Sequence, residues 1–376
     1  MARKTVPRQH GYKRIKHVMI NGIAQMTTYI LRRMLYMLVV LFVVAGITFI
    51  LMHAVPGGPF DKEKILPPEI QANKEKYYHL DDPLHIQFFS YLARVTIPRL
   101  TTTPPTLNTD DDFLVTVKMG EYWFKWMNFG PSYASRSRTV NDIFREQLPV
   151  SFQLGTIALM IAITIGMPLG VMSALNHNRW PDYVGMGVAI FGVSVPTIVL
   201  GPIFVWIFGV ILQWLPPTGW GAKPPFSFGL FPSALGWDYF KYAILPAFVL
   251  GFGSSAVIAR LTRASMLQVI REDYIRTARA KGLPERLVVS RHMFRTALIP
   301  VVTVLGPLFA ALVTGTFVTE LVFGIPGLGK YFVTSISNRD YPVIMGTILL
   351  YAVFLVTSNL IVDIMYAFLD PRIRYN

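Results

Sequence analysis

MLYMLVVLFVVAGITFILMHAV, residues 34–55, runs for 22 positions without an aspartate, glutamate, lysine or arginine. An α-helix rises about 1.5 Å per residue, so about 20 apolar residues cross the ~30 Å hydrocarbon core of a bilayer. Arg32 and Arg33 stand immediately before this run, and Pro56-Gly57-Gly58-Pro59 immediately after it. It is too long for the apolar part of a signal peptide and lacks a small-residue cleavage site, which predicts an uncleaved membrane anchor. Five more runs of this kind follow, at about 150–175, 183–214, 242–259, 297–319 and 343–369. The expected fold is an all-α membrane protein with six transmembrane helices. The runs also account for the composition: the 376 residues are 53% hydrophobic and only 15% charged, against about 25% charged in a soluble domain.

The net charge of +14 invites a nucleic-acid reading, but its distribution opposes one. With the N-terminus inside, six spans place 1–33, 176–182, 260–296 and 370–376 on the inner side, carrying 20 Lys and Arg. The two shorter outer loops carry four: Lys223, Lys241, Lys330 and Arg339. That asymmetry is the positive-inside pattern, and it predicts cytoplasmic N- and C-termini. The long outer segment 56–148 is exempt and nearly balanced, with 11 basic and 12 acidic residues. The excess charge therefore sets orientation and faces anionic lipid or an inner partner. Nucleic acid is not an expected partner. There is no cysteine, hence no disulfide framework or thiol nucleophile, and the seven histidines show no ligand spacing. No metal or cofactor is expected.

Four regions follow: a basic arm at 1–25, the first span with its anchor at 26–55, an extracytoplasmic region at 56–148, and a five-span core at 149–376. The arm is expected to lie at the lipid surface. The outer region carries a helix-like stretch from Pro68 to Tyr78 and a Pro/Thr-rich stretch, TIPRLTTTPPTLNTDDD (96–112), read as an exposed loop. Its aromatic cluster Tyr122, Trp123, Trp126 and Phe129 suits a headgroup belt; a ligand platform is the alternative. Gly and Pro are frequent inside the spans, where they kink helices and let backbones approach. Asn359 and Asp363 share a face of the last span. Asp363 lies near the inner end, where Arg260 and Arg263 close the fourth span, so a structural ion pair is expected there, with a substrate contact as the alternative.

GIPGLGKY (324–331) reads G-x-x-x-x-G-K, one residue short of a phosphate-cradling loop. That motif needs Ser or Thr after the lysine and a strand before the glycines. Here Tyr331 follows Lys330, and the preceding segment reads as helix to about Phe323. The segment also falls outside, where ATP is absent. Gly324, Pro326, Gly327 and Gly329 are therefore expected to form a tight surface turn on the outer side, near the gate. The chain itself is not expected to be an enzyme: it has no paired acids, metal cluster or G-x-S-x-G.

EDYIRTARAKGLPERLVVSRHMFRTALIP (272–300) falls inside, within the loop 264–296. It reads as two short helices around a break. Tyr274, Ala278 and Lys281 share one face; Gly282 suits the left-handed residue that ends a helix. Pro284 suits the first turn of the next helix, with Glu285 near its positive end. Such an elbow is more than a charge rule requires, and it offers a docking surface.

At this point the chain resembles the permease subunits of binding-protein-dependent ABC importers, whose cytoplasmic loop carries E-A-A-x-x-x-G. Arg276, Thr277, Ala278 and Gly282 occupy those positions, with Arg279, Ala280 and Lys281 between. The Glu and first Ala are replaced, as in the peptide branch, which favours RTARAKG. The later I-x-L-P departs to His292-Met293-Phe294-Arg295. The stretches at 56–92, FGPSY (129–133), VNDIF (140–144), LPVS (148–151), GIPGLGKYF (324–332), NRDYPVIMG (338–346) and DPRIRY (370–375) are similar to the B subunits of the oligopeptide branch. The resemblance begins near Met26; the arm 1–25 and about 25 residues near 96–125 have no counterpart in it. It implies the type I ABC importer permease fold. It implies a second homologous permease subunit, two cytoplasmic ATPase subunits docked on the elbow, an external peptide-binding protein and a peptide substrate. Permeases for dipeptides, antimicrobial peptides or nickel stay open within the class. A membrane receptor using 56–148 is the reading from outside it.

Overall fold

The computed structural model describes residues 9–60, 68–104, 111–135, 137–223, 226 and 229–369. DPRIRY, residues 1–8 of the arm, 61–67 and 105–110 lie outside the described residues. Helix α1 (Gln9–Ala54) is one continuous rod. The arm is thus helical from Gln9 and runs straight into the first span. Outward-facing Leu38, Phe42, Ile47 and Ile50 leave α1 apolar where lipid would meet it.

Five helical segments are long and apolar enough to cross a membrane: 28–54, 140–175, 237–269, 285–313 and 341–366. They are the end of α1, α4 (Val140–Leu175), α7 (Trp237–Val269), a segment running through α9 (Glu285–Leu287) and a π-turn into α10 (Phe294–Val313), and α13 (Tyr341–Leu369). The sixth expected span, 183–214, is broken. Helices α5 (Trp180–Ser194) and α6 (Thr197–Phe204), the latter continued by a π-turn to Ile211, meet at 102°. Proline explains the break. Its ring disfavours helical backbone in the preceding residue, and Val195 before Pro196 is extended, at φ −90° and ψ 115°.

Helix α4 begins with a capping box: the Thr139 hydroxyl accepts from the Asp142 N–H, and the Asp142 carboxylate accepts from the Thr139 N–H. It lies along α7 at close range. A Cβ on Gly166 would stand 2.6 Å from the Ser255 carbonyl oxygen, so only glycine fits that crossing.

The segment 56–148 is not wholly helical. After α2 (Pro68–Tyr77) and α3 (Leu84–Thr96) come three short antiparallel strands, β1 (Arg99–Thr101), β2 (Val115–Met119) and β3 (Tyr122–Trp126), in the order β1-β3-β2. The sheet occupies the region near 96–125 that has no counterpart in the resemblance. Within the expected loop 96–112, residues 99–101 are therefore strand. Lys125 on β3 is fully buried, with its Nζ 2.7 Å from Asp111. Of the aromatic cluster, Tyr122 is exposed, Trp126 donates its Nε1–H to the Thr96 carbonyl, and Phe129 is buried edge-on against Phe144. Phe129 therefore belongs to the core rather than to a headgroup belt.

Asp340 fastens this segment to α13. It is buried and accepts from the Ser132 hydroxyl and from the backbone N–H of Tyr133 (3.0 Å) and Ala134 (3.2 Å). Two stretches far apart in sequence, FGPSY and NRDYPVIMG, thereby form one joint. Burial pushes the Asp340 carboxyl above the usual carboxylate range, against the opposing pull of these donors.

Candidate functional site

Helix α8 (Asp273–Ala280) forms the first arm of the elbow. Its inner face is Ile275 and Ala278, packed with Met266 and Val269 of α7 and with Val288, Met293 and Ala297. Tyr274, Arg276, Thr277, Arg279, Ala280 and Lys281 are exposed. The expected shared face of Tyr274, Ala278 and Lys281 is therefore split: Ala278 turns inward and the other two outward. Gly282 sits at φ +74°, in the left-handed region. Around it, the Leu283 N–H donates to the Ala278 carbonyl and the Gly282 N–H to the Arg279 carbonyl, the paired bonds of a Schellman motif. A Cβ at Gly282 would meet nothing within 4 Å, so only the backbone conformation asks for glycine there.

Pro284 is the N-cap and Glu285 the first helical residue beyond the turn. Glu285 pairs with Arg279 across the bend, at 2.6 and 3.1 Å. The second arm is not a separate short helix. It continues through the π-turn Val288–Met293 into α10, so elbow and span form one lever.

The glycine turn has a different character from the one expected. Ile325, Gly327, Leu328 and Gly329 are buried, and only Gly324, Pro326 and Lys330 reach the surface. What the glycines surround is Glu320, an acid at 2% exposure. It belongs to α11 (Phe317–Val322), and the turn leads on into α12 (Leu328–Asn338). A Cβ on Gly327 would stand 2.6 Å from Glu320 Oε2, and one on Gly329 2.9 Å from the same oxygen. Oε1 accepts from the Ser151 hydroxyl at 2.7 Å, and the Ser151 oxygen accepts from the Leu328 N–H at 2.8 Å. Oε2 makes no hydrogen bond of standard geometry among the described residues, although the Gly329 and Lys330 N–H groups lie close enough to favour its charge. Burial outweighs them and raises the carboxyl above its usual range. The phosphate-loop-like string does build an anion nest at a helix start, and the protein's own carboxylate fills it.

The expected pairing of Asp363 with Arg260 or Arg263 is not formed. Asp363 meets Arg33 at 3.0 Å, because α13 packs on α1 and α10 rather than on α7. Arg263 instead holds Asp182 through two bonds of 2.7 Å and touches His177 at 3.1 Å, tying α7 to α5. Arg260 is exposed. Three acids with structural roles, Asp182, Glu320 and Asp340, were not singled out from sequence, and Arg33 was read only as an anchor of the first span. Glu320 alone carried a visible signal: a lone acid within FVTELVFGIPGLG, which burial would oblige to find donors. Among the described residues no group of three His, Asp or Glu side chains could hold a metal ion.

The sequence matches the profile described as binding-protein-dependent transport system inner membrane component over residues 166–375, and the N-terminal profile of the same family over 26–108. The chain belongs to this family. It is a multi-pass permease component of the inner membrane, a non-catalytic subunit. The dipeptide transport system permease protein DppB of Bacillus subtilis (strain 168) is 40% identical over 349 residues, 93% of this chain and 98% of that protein. The oligopeptide transport system permease protein OppB of Salmonella typhimurium (strain LT2) is 39% identical over 351 residues, 93% of this chain and all of that protein. The glutathione transport system permease protein GsiC of Salmonella choleraesuis is 38% identical over 355 residues. Among solved structures, an inward-facing MetNI methionine ABC transporter matches at 16% identity and a TM-score of 0.47, over 60% of this chain and 94% of that one. The N-terminal profile starts at Met26, where the resemblance in the sequence also starts. The elbow and the Glu320 nest both lie within the permease profile.

Proposed function

We propose that this chain is the permease subunit of an ATP-driven importer that takes up oligopeptides delivered by an external binding protein. The observation that carries this reading is its 39% identity over 93% of the chain to an oligopeptide permease that it covers end to end. In this reading a second, homologous permease completes the membrane path, and two cytoplasmic ATPase subunits dock on the elbow. The partners hydrolyse ATP. The charge asymmetry along the sequence favours cytoplasmic termini, and in that orientation Tyr274, Arg276, Thr277, Arg279, Lys281, Pro284 and Glu285 would be in reach of those ATPases. Because the elbow continues into α10, a push on α8 would tilt a whole span. That is how a two-state bundle could be biased between inward and outward openings. The segment 56–148 would meet the delivering protein. The Glu320 nest, packed beneath α6 through Val322 and Gly201, would stiffen the outer end of the path.

A dipeptide substrate is the second reading, favoured by the 40% identity to a dipeptide permease. Uptake competition in vesicles holding the full transporter separates them. Tri- to pentapeptides should displace a labelled peptide if oligopeptides are the substrate. Displacement by dipeptides alone would support the second reading, and displacement by neither would refute peptide import.

A further inference from the structure

On the face that carries 56–148 there is a cavity of about 500 Å³, within the range of small-ligand sites. The last turn of the first span (Phe49, His53), the start of α13 (Tyr341) and α3 wall it, with Tyr78 and Tyr133 closing it. Tyr91 of α3 is 6% exposed, and its hydroxyl is buried without a hydrogen-bond partner among the described residues. That hydroxyl is also sealed from the cavity, so Tyr91 contributes wall and not a donor to a ligand there. One turn further along α3, Arg94 lines the same cavity and is paired to no carboxylate among the described residues. Arg94 and Tyr133 also line a neighbouring cavity of about 480 Å³, so they stand between the two. Burial keeps Tyr133 far above the ordinary tyrosine range, so it remains an O–H donor. The guanidiniums of Arg94 and Arg99 and the Tyr133 hydroxyl donor, among aromatic walls, are the chemistry that holds a carboxylate on an apolar body. Asp82, the one acid on the wall, offsets one of the two guanidiniums, which leaves a single positive charge suited to a monoanion rather than a phosphate, and it offers a partner for an ammonium group.

We propose that this cavity is a holding site for the C-terminal carboxylate of a short peptide, received by Arg94, Arg99 and Tyr133. The proposal rests on the peptide-import reading and on the outer placement of 56–148. It needs α1 and α13 as well as the outer segment, so the isolated segment 56–148 should not bind peptide.

The test uses the assembled transporter without its binding protein, in nanodiscs of zwitterionic phosphatidylcholine. The probes are Ala-Phe-Ala and its C-terminal amide. The free acid should bind saturably and the amide at least about tenfold more weakly, the loss of one charge-assisted contact. Arg94→Gln should lose about tenfold for the acid only. Tyr133→Phe should lose about fivefold, whereas Tyr91→Phe, which removes a hydroxyl sealed from the cavity, should bind as wild type. Equal binding of acid and amide, no effect of Arg94→Gln, or no binding at all would overturn the proposal. So would displacement of the peptide by phosphatidylglycerol, which would make the site a lipid headgroup site. Uptake with the binding protein present is measured in parallel. Uptake without a carboxylate-dependent site defeats only this inference, whereas a site without uptake defeats peptide import.

Discussion

Removing the Glu320 carboxylate tests the reading of the glycine turn. In Glu320→Ala the Ser151 hydroxyl loses its acceptor, and the Gly329 and Lys330 N–H groups lose the charge they face. The Ser151 hydroxyl left unpaired costs about 1–3 kcal/mol, and the two N–H groups lose a nearby charge rather than a hydrogen bond. The carboxyl's raised pKa sets the pH dependence. A carboxyl whose folded-state pKa lies above its unfolded value gives its full stability at low pH, and loses it as pH rises through the folded value. Wild type should therefore weaken as pH climbs out of the ordinary carboxylate range, and the penalty of Glu320→Ala should shrink with it. Glu320→Gln, which keeps one acceptor and cannot ionise, should be milder and flat across that window. Gly327→Ala completes the argument. Its methyl group would collide with the carboxylate and with nothing nearer, and its backbone, at φ −107°, suits any residue. It should be strongly destabilising in wild type and nearly silent in the Glu320→Ala background. The assay is thermal unfolding of the purified permease in detergent, followed by circular dichroism across pH. Additive losses in the double variant, or a harmless Gly327→Ala, would refute the nest.

Double-mutant cycles should give coupling of about 0.5–3 kcal/mol for Asp182 with Arg263 and for Asp363 with Arg33, and none for Asp363 with Arg263; unfolding midpoints of the alanine variants measure this. Asp340→Ala should free Ser132 and two backbone N–H groups, costing about 2–4 kcal/mol and increasing protease cleavage near 132–135. Deleting residues 1–25 should leave membrane insertion and peptide uptake at wild-type levels, since Arg32 and Arg33 remain to hold the end inside; loss of either would give the arm a function.

The spans were legible because a bilayer leaves little choice: a long charge-free run must be a helix that satisfies its own backbone. The glycine end of α8 was legible for a local reason, since Gly282 is the residue that takes φ +74° without strain. Contacts between distant helices were not. Asp363 and Arg263 lie at the same end of the bundle, and no local pattern says that α13 turns this face to α1. Pro196 announced a break but not its 102° angle, which packing sets. GIPGLGKY was open to two readings because glycine serves both exposed turns and close approach. The partner that decides between them, Glu320, lies four residues upstream and reads as an ordinary polar residue until its burial is known. The small sheet was hidden because its strands are three to five residues long and two of them are largely exposed.

Coupling through the elbow is most directly tested by ATP hydrolysis in the reconstituted transporter carrying Gly282→Val. Nothing lies within 4 Å of the Cβ it adds, so the substitution acts chiefly on the left-handed turn. It should cost more than about 1–2 kcal/mol there because valine is β-branched. The spans do not depend on that turn, so membrane levels should stay normal. Hydrolysis stimulated by peptide-loaded binding protein should fall to the unstimulated rate, with Gly282→Ala in between. Wild-type stimulation by Gly282→Val would mean that the elbow is a charged loop that transmits nothing.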